Sequence, residues 1–202
     1  MTERTRGRLI ALEGGEGVGK STQAELLAGA LGAKATREPG GSRLGEQVRS
    51  LVLDSPPGAV DDRAELMLVL AARAQHVAEL IRPALQSGRD VVVDRYSGST
   101  LAYQGYGRGL PIDEIEMACD LATGGLWPDL TVLLDMPAEE GAARRAGTRR
   151  DRIESEGPRF FARVREGYLE LASKHPGSWV VLDASPGAAE VASAVLKAVR
   201  AL

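Results

Sequence analysis

The chain has 202 residues, 44% of them hydrophobic and 26% charged, the balance of an ordinary soluble globular protein with room for a full core. Its net charge of −3 argues against a general nucleic-acid binder, so any anion site must be built from local cations. A single cysteine, Cys119, excludes an internal disulfide and favours a reducing, cytoplasmic setting; the short polar stretch before Leu9 does not read as a signal peptide, and no apolar run is long enough to span a membrane.

Leu9 to Glu13 reads as a buried strand. It runs into Gly14-Gly15-Glu16-Gly17-Val18-Gly19-Lys20-Ser21, which fits G-x-x-x-x-G-K-[ST] without mismatch. Ser21 to Leu31 then reads as a helix, with Leu26, Leu27 and Leu31 on one face. Strand, glycine loop and helix together make a phosphate cradle. Backbone N–H groups turn inward, and the helix N-terminus adds a favourable dipole. Lys20 can reach the outer phosphates of a nucleotide, the Ser21 hydroxyl can ligand Mg²⁺, and Thr22 is a candidate contact for the α-phosphate.

Ala33 to Arg37 reads as a short second strand ending at Glu38-Pro39-Gly40-Gly41. Arg43 to Leu53 reads as a helix. Asp61 can cap a long helix from about Ala64 to Leu85, which Gly88 stops. Asp90 to Asp94 reads as a buried strand and Pro111 to Ala122 as a helix. Leu130 to Asp135 and Trp179 to Asp183 read as further strands, with helices over Phe160 to Ser173 and Ala188 to Ala201. The strands are continuous apolar runs with helices between most of them. That pattern predicts a doubly wound, parallel, five-stranded α/β sheet. With no repeat, linker or composition break, one domain over 1–202 is expected.

Residues 141–157 break the pattern. They carry Arg144, Arg145, Arg149, Arg150 and Arg152, with Gly141, Gly147 and Gly157 among them. In a phosphate-transferring enzyme, such an arginine-rich, glycine-bounded segment reads as a lid that neutralises charge and excludes water.

Further motifs narrow the reading. They are Arg37-Glu38-Pro39-Gly40-Gly41-Ser42; Ala72-Arg73-Ala74-Gln75-His76; Asp94-Arg95-Tyr96 continuing through Ser99-Thr100, Ala102-Tyr103-Gln104-Gly105 and Gly107-Arg108-Gly109; and Asp151-Arg152-Ile153-Glu154. With the phosphate loop, and in this order, they resemble the thymidylate kinase family of the bacterial type, from about Leu9 to the C-terminus. The resemblance implies a P-loop nucleoside-monophosphate-kinase fold, transfer of the γ-phosphoryl group of ATP to dTMP, Mg²⁺ as cofactor, and a homodimer. No nucleic acid or membrane partner is expected.

Roles follow from that chemistry. Phosphoryl transfer needs two anions held in line and their charge neutralised. Arg37, with Pro39 beside it, is expected to clamp the acceptor phosphate. Asp94 is expected to hold the metal's water shell, and Arg95 to bridge donor and acceptor phosphates. Glu16, an acid inside the phosphate loop, makes sense if it faces the acceptor sugar, and it leaves the loop without an arginine. The lid must then supply the cation, with Arg152 the first choice and Arg149 the second. By resemblance, Arg73 reads a thymine carbonyl, Ser99, Thr100 and Gln104 supply polar contacts, and Tyr103 packs near the sugar. His76 and Cys119 read as structural.

Two positions depart from the family. Val69 stands where a phenylalanine usually stacks on the thymine ring, and Ala72 stands where an aspartate is usual. An alternative acceptor, another or 5-substituted pyrimidine deoxynucleoside monophosphate, therefore stays open. A nucleoside kinase would have no use for Arg37, and a guanine-nucleotide switch would need an Asn-Lys-x-Asp motif that is missing.

Overall fold

A computed structural model describes residues 6–145, 147 and 150–202. The described strands are β1 (Leu9–Gly14), β2 (Lys34–Arg37), β3 (Val91–Asp94), β4 (Leu130–Asp135) and β5 (Trp179–Asp183). They form a five-stranded sheet in the order β2-β3-β1-β4-β5, with every pairing parallel. This is the predicted doubly wound sheet. The central strand β1 is buried along its whole length, whereas both edge strands are partly exposed. That is why Leu9 to Leu12 are purely apolar and Lys34-Ala35-Thr36-Arg37 is not.

The helices are α1 (Lys20–Leu31), α2 (Arg43–Leu53), α3 (Asp62–His76), α4 (Arg82–Gln86), α5 (Ser97–Thr100), α6 (Ile112–Thr123), α7 (Ala138–Arg144), α8 (Pro158–Lys174) and α9 (Ala188–Arg200). Asp61 caps α3 by accepting from Arg63 N at 2.9 Å, and Ser42 caps α2 by accepting from Gly45 N at 3.0 Å. The predicted long helix is continuous but joins α3 to α4 through a π-helical turn at Val77–Ile81. A second π-helical stretch, Leu101–Gly107, was not anticipated, and neither was α7. π-Turns concentrate at functional sites, and the second one carries Tyr103 and Gln104.

The core lies on both sheet faces. One layer packs Leu27 and Ala28 of α1 and Val195 and Val199 of α9 on Ile10, Leu12 and Val132. The other packs Val77, Ile81 and Leu85 on Leu9, Ala11, Val91 and Val93. The buried stripe of α1 is Ala24, Leu27 and Ala28, and Leu26 is exposed. The expected Leu26 placement fails because it lies about 100° around the helix from Leu27. Leu66, Leu70 and Val77 are all buried in the core.

α7 approaches the phosphate loop backbone to backbone. A Cβ on Gly141 would lie 2.2 Å from Glu16 O, and one on Gly17 would lie 2.1 Å from Gly141 O. Gly17 also has φ 75°, in the left-handed region. Gly141→Ala should therefore push α7 and the phosphate loop apart. The expected outcome is a folded protein whose KM for the triphosphate donor rises at least about tenfold, since small misplacements at a transfer site are costly. Steady-state kinetics beside a thermal melt would check this.

Candidate active site

β1 and β3 are neighbours whose onward connections run in opposite directions, to β2 across β3 and to β4 across β1. A crevice opens outside the carboxyl ends of such strands. Here it is a cavity of about 560 Å³, lined by the phosphate loop, the ends of β2 and β3, α3, the 97–107 segment and residues of the 141–157 segment. Gly17, Gly19, Lys20, Ser21, Thr22 and Glu16 face it. Gly14, Gly15 and Val18 do not line it; Val18 is buried in the core, so it can serve only through its backbone. The first turn of α1 has no side-chain cap and no acidic residue, which leaves its N-terminal amides open to an anion.

Lys20 is buried and donates from Nζ to Gly15 O at 2.5 Å. Burial and the nearby Arg95 lower its pKa to about 8, against Glu16, Asp94 and Glu13, which raise it. Ser21 Oγ donates to Asp94 Oδ2 at 2.5 Å, while the buried Asp94 Oδ1 has no partner. An orphaned carboxylate oxygen beside a hydroxyl at a phosphate cradle fits a hard divalent cation. No group of three His, Cys, Asp or Glu side chains with metal-binding placement exists among the described residues. A cation here would therefore share its sphere with phosphate and water.

Arg95 is a non-glycine residue with φ 69°. That left-handed backbone costs about 1–2 kcal/mol and is held in place by bonds. Nη1 donates to Gly14 O at 3.1 Å, Ser99 Oγ at 3.2 Å and Tyr168 Oη at 3.3 Å, and Nη2 donates to Tyr103 Oη at 3.1 Å and pairs with Glu16. The guanidinium also lies over the Tyr103 ring, 4.9 Å from its centre. Glu16 accepts from Tyr103 Oη at 2.9 Å and from Arg145 Nη1 at 3.2 Å. Burial would raise its pKa, yet Arg95, Lys20, Tyr103 and Arg145 hold it down to about 2, so it is an anion throughout the physiological range.

Arg37 and Pro39 line the cavity at the end of β2; Arg37 is exposed and paired with Glu46 at 3.0 Å. Val69, Arg73, Thr100, Tyr103 and Gln104 also line the cavity, and so does Ser99, with its hydroxyl given to Glu13 at 2.5 Å. Arg73 is buried. It donates from Nε to Glu38 at 2.7 Å and from Nη2 to Tyr96 O at 3.0 Å. His76 Nδ1 lies 3.0 Å from Glu38 and its Nε2 lies 2.8 Å from Thr36 Oγ1, the structural place expected of it. Cys119 is a buried free thiol 3.6 Å from Arg73 Nη1.

Arg152 is a correction. It does not line the cavity: it is buried, donates from Nε to Val52 O at 2.7 Å and pairs with Glu65. It thus ties the 151–157 turn to α2 and α3. Arg149 lies outside the described residues. Among the described residues of the segment, the arginines that face the cavity are Arg144, which bonds Ala184 O and Ser185 O, and Arg145.

Glu13 and Arg49 escaped sequence reasoning, and Arg145 was read only as one arginine of the 141–157 segment. Glu13 is fully buried and accepts from Tyr96 N at 2.9 Å, Ser99 N at 3.0 Å, Ser99 Oγ and Tyr168 Oη at 3.0 Å; burial raises its pKa. Arg49 lines the cavity and donates to Pro39 O at 3.1 Å. Arg145 spans Glu16 and Glu154. An acid directly after the apolar run Leu9 to Leu12, still inside a buried strand, was the available signal for Glu13.

Comparison with known proteins agrees with this geometry. The family model described as thymidylate kinase matches residues 12–195. A thymidylate kinase of Desulforudis audaxviator is 48% identical over 202 residues, covering 97% of this chain and 91% of the relative. One of Nitratidesulfovibrio vulgaris is 49% identical over 207 residues, covering 96% of each. The crystal structure of thymidylate kinase from Ehrlichia chaffeensis superposes with a TM-score of 0.79 at 32% identity, covering 96% of this chain and 98% of that one.

The depressed Lys20 pKa has a measurable consequence. As pH rises through about 8 the free site loses its lysine charge, whereas bound phosphates favour the charged form. Triphosphate binding above that pH should take up a proton and weaken by up to about tenfold per pH unit. Calorimetry in buffers of different ionisation enthalpy would show the uptake, and Lys20→Met should abolish it.

Proposed function

The chain belongs to the thymidylate kinase family and phosphorylates dTMP with ATP as donor, giving dTDP and ADP; we propose that it does so in the 560 Å³ cavity, with the following residues. The observation that carries this assignment is the Arg95 guanidinium, fixed between the phosphate loop and the 97–107 segment. Donor phosphates lie on the amides of Gly17, Gly19, Lys20 and Ser21, with Thr22 beside the α-phosphate. Lys20 leaves Gly15 O to contact the outer phosphates. Arg37 and Arg49 hold the acceptor phosphate from the β2 side, and Arg95 lies between the two anions. The attacking phosphate oxygen is already anionic, so no general base is required, and catalysis is positioning plus charge neutralisation.

Ser21 and Asp94 would hold Mg²⁺, which would supply positive charge to the transferring phosphates. The 141–157 segment serves as a lid whose phosphate-facing cation is Arg145 rather than Arg152. Glu16 stays ionised between Arg95 and Arg145 and faces the acceptor sugar. Val69, Arg73, Thr100, Tyr103 and Gln104 enclose the base. The alternative pyrimidine acceptor suggested by Val69 is not favoured, because relatives at 48–49% identity are thymidylate kinases.

A release assay for ADP across dTMP, dUMP, dCMP, UMP and thymidine tests the assignment. dTMP should be fastest and thymidine inert. Arg145→Met should lower kcat at least about tenfold with little change in KM for dTMP, as loss of a transition-state contact does. Fastest turnover on another acceptor would refute the base-pocket assignment.

The enzyme is proposed to work in the cytoplasm as a homodimer. No helix among the described residues is long and apolar enough to cross a membrane. Helices α3 and α6 pack through Leu66, Leu70, Ile115 and Cys119, yet expose Met67, Met117 and Leu121, the last at 87%. Exposed large apolar side chains on adjoining helices suit a subunit contact. Sedimentation should give a dimer for the wild type and a folded monomer for Leu121→Glu.

A further inference from the structure

Glu65, on α3, is fully buried and has no contact with the phosphate site. Its carboxylate is surrounded by donors. Oε1 accepts from Gln104 Nε2 at 2.8 Å and from Arg108 Nε at 3.3 Å. Oε2 accepts from Arg108 Nη2 at 3.1 Å and from Arg152 Nη2. Two guanidiniums keep this carboxylate ionised, and an ionised carboxylate can only accept. The Gln104 amide must therefore present its nitrogen to Glu65. The orientation follows from chemistry rather than from assignment of the amide atoms. Gln104 Oε1 has no hydrogen-bond donor among the described residues, and Gln104 lines the cavity beside Val69, Arg73 and Thr100.

We propose that Glu65 is a specificity-determining positioning residue: by fixing the Gln104 carboxamide it presents Oε1 to the cavity as an acceptor for an N–H of the base. This rests on the assignment of that side of the cavity to the acceptor base. Thymine offers a donor N3–H between two carbonyl acceptors, and cytosine offers an acceptor N3 in its place. A carboxamide free to rotate could meet either base. Locked by Glu65, it meets only the donor, and cytosine would leave two acceptors facing one another. A site built to bond one polar group rejects the base lacking it far more strongly than an apolar pocket can. Arg73 adds a fixed donor nearby, since Glu38 and Tyr96 O hold its guanidinium.

The test is the ratio of kcat/KM for dCMP to that for dTMP. Glu65→Gln gives position 65 both a donor and an acceptor, so the Gln104 amide can turn over. The ratio should rise at least about tenfold. Arg152→Met removes a different partner of Glu65 and leaves the Gln104 bond, so its ratio should stay at the wild-type value even if its melting temperature falls. An unchanged ratio in folded Glu65→Gln overturns the proposal, and so does an equal rise in Arg152→Met. Should Glu65→Gln fail to fold, Glu65→Asp keeps the charge for both arginines and withdraws the carboxylate from Gln104, with the same rise expected. A variant-free arm compares dTMP with its 3-deaza analogue on the wild type. A loss of at least about tenfold supports an acceptor facing N3, and equal turnover overturns it. Absence of dTMP turnover by the wild type would instead refute the parent assignment.

Discussion

The Arg95 guanidinium sits between the phosphate loop and the 97–107 segment, and a cation so deeply placed persists only where anions and carbonyls are fixed around it. Its partners define the site. Gly14 O fixes its distance from the loop, and Glu16 neutralises it. Tyr103 supplies both a hydroxyl and a ring face. Glu13 adds a layer beneath, since it pins Tyr96 N, Ser99 and Tyr168, two of which bond Arg95 in turn. The left-handed backbone at Arg95 follows from this arrangement: leaving β3 at that angle turns the side chain back under the loop while the next turn of chain docks on Glu13.

Cations around the cavity are arranged with dedicated acids. Glu46 holds Arg37, Glu38 holds Arg73, Glu16 holds Arg95 and Arg145, and Glu65 holds Arg108 and Arg152. Such pairing lets a chain with a net charge of −3 gather many arginines about one cavity. It also separates two duties. Pairs buried on both sides, such as Arg73–Glu38 and Arg152–Glu65, fix geometry, because breaking either would strand a buried charge. The Arg37–Glu46 pair is about half exposed on both sides, so it is weak and can yield to a phosphate.

The local motifs were legible in the sequence because their chemistry is local. The phosphate loop, Asp94-Arg95 at a strand end and Arg37 at another each combine a strand, a turn and a functional side chain within a few residues. The parallel, doubly wound character of the sheet followed from the alternation of apolar runs and helices, whereas the order of its strands came only from the fold. What was missed depends on contacts between distant positions. Arg152 reads as a lid arginine beside Arg149 and Arg150, and only the fold brings Glu65, 87 positions away, to its guanidinium. Arg145 is singled out only by the fold, which sets it between Glu16 and Glu154. The 97–107 segment was read as a string of motif residues rather than as helix because Gly98, Gly105 and Gly107 lower helix propensity. Packing of Gly107 against Phe160 and of Ala102 and Tyr103 in the same cluster overrides that preference.

An acid in the phosphate loop follows from the same pairing. Lys20, Arg95 and Arg145 carry like charges, and burial together with the neighbouring Arg95 depresses the lysine pKa. Glu16 lies among all three and holds them close enough to receive a phosphate together. Preorganised cations need not be gathered at the moment of transfer, which is where electrostatic catalysis draws its advantage over water. A neutral residue at position 16 would leave that work to the incoming anions. The segment that carries Arg145 meets the loop at Gly17 and Gly141, so the Glu16–Arg145 bond and the close backbone contact reinforce one another in holding these charges together.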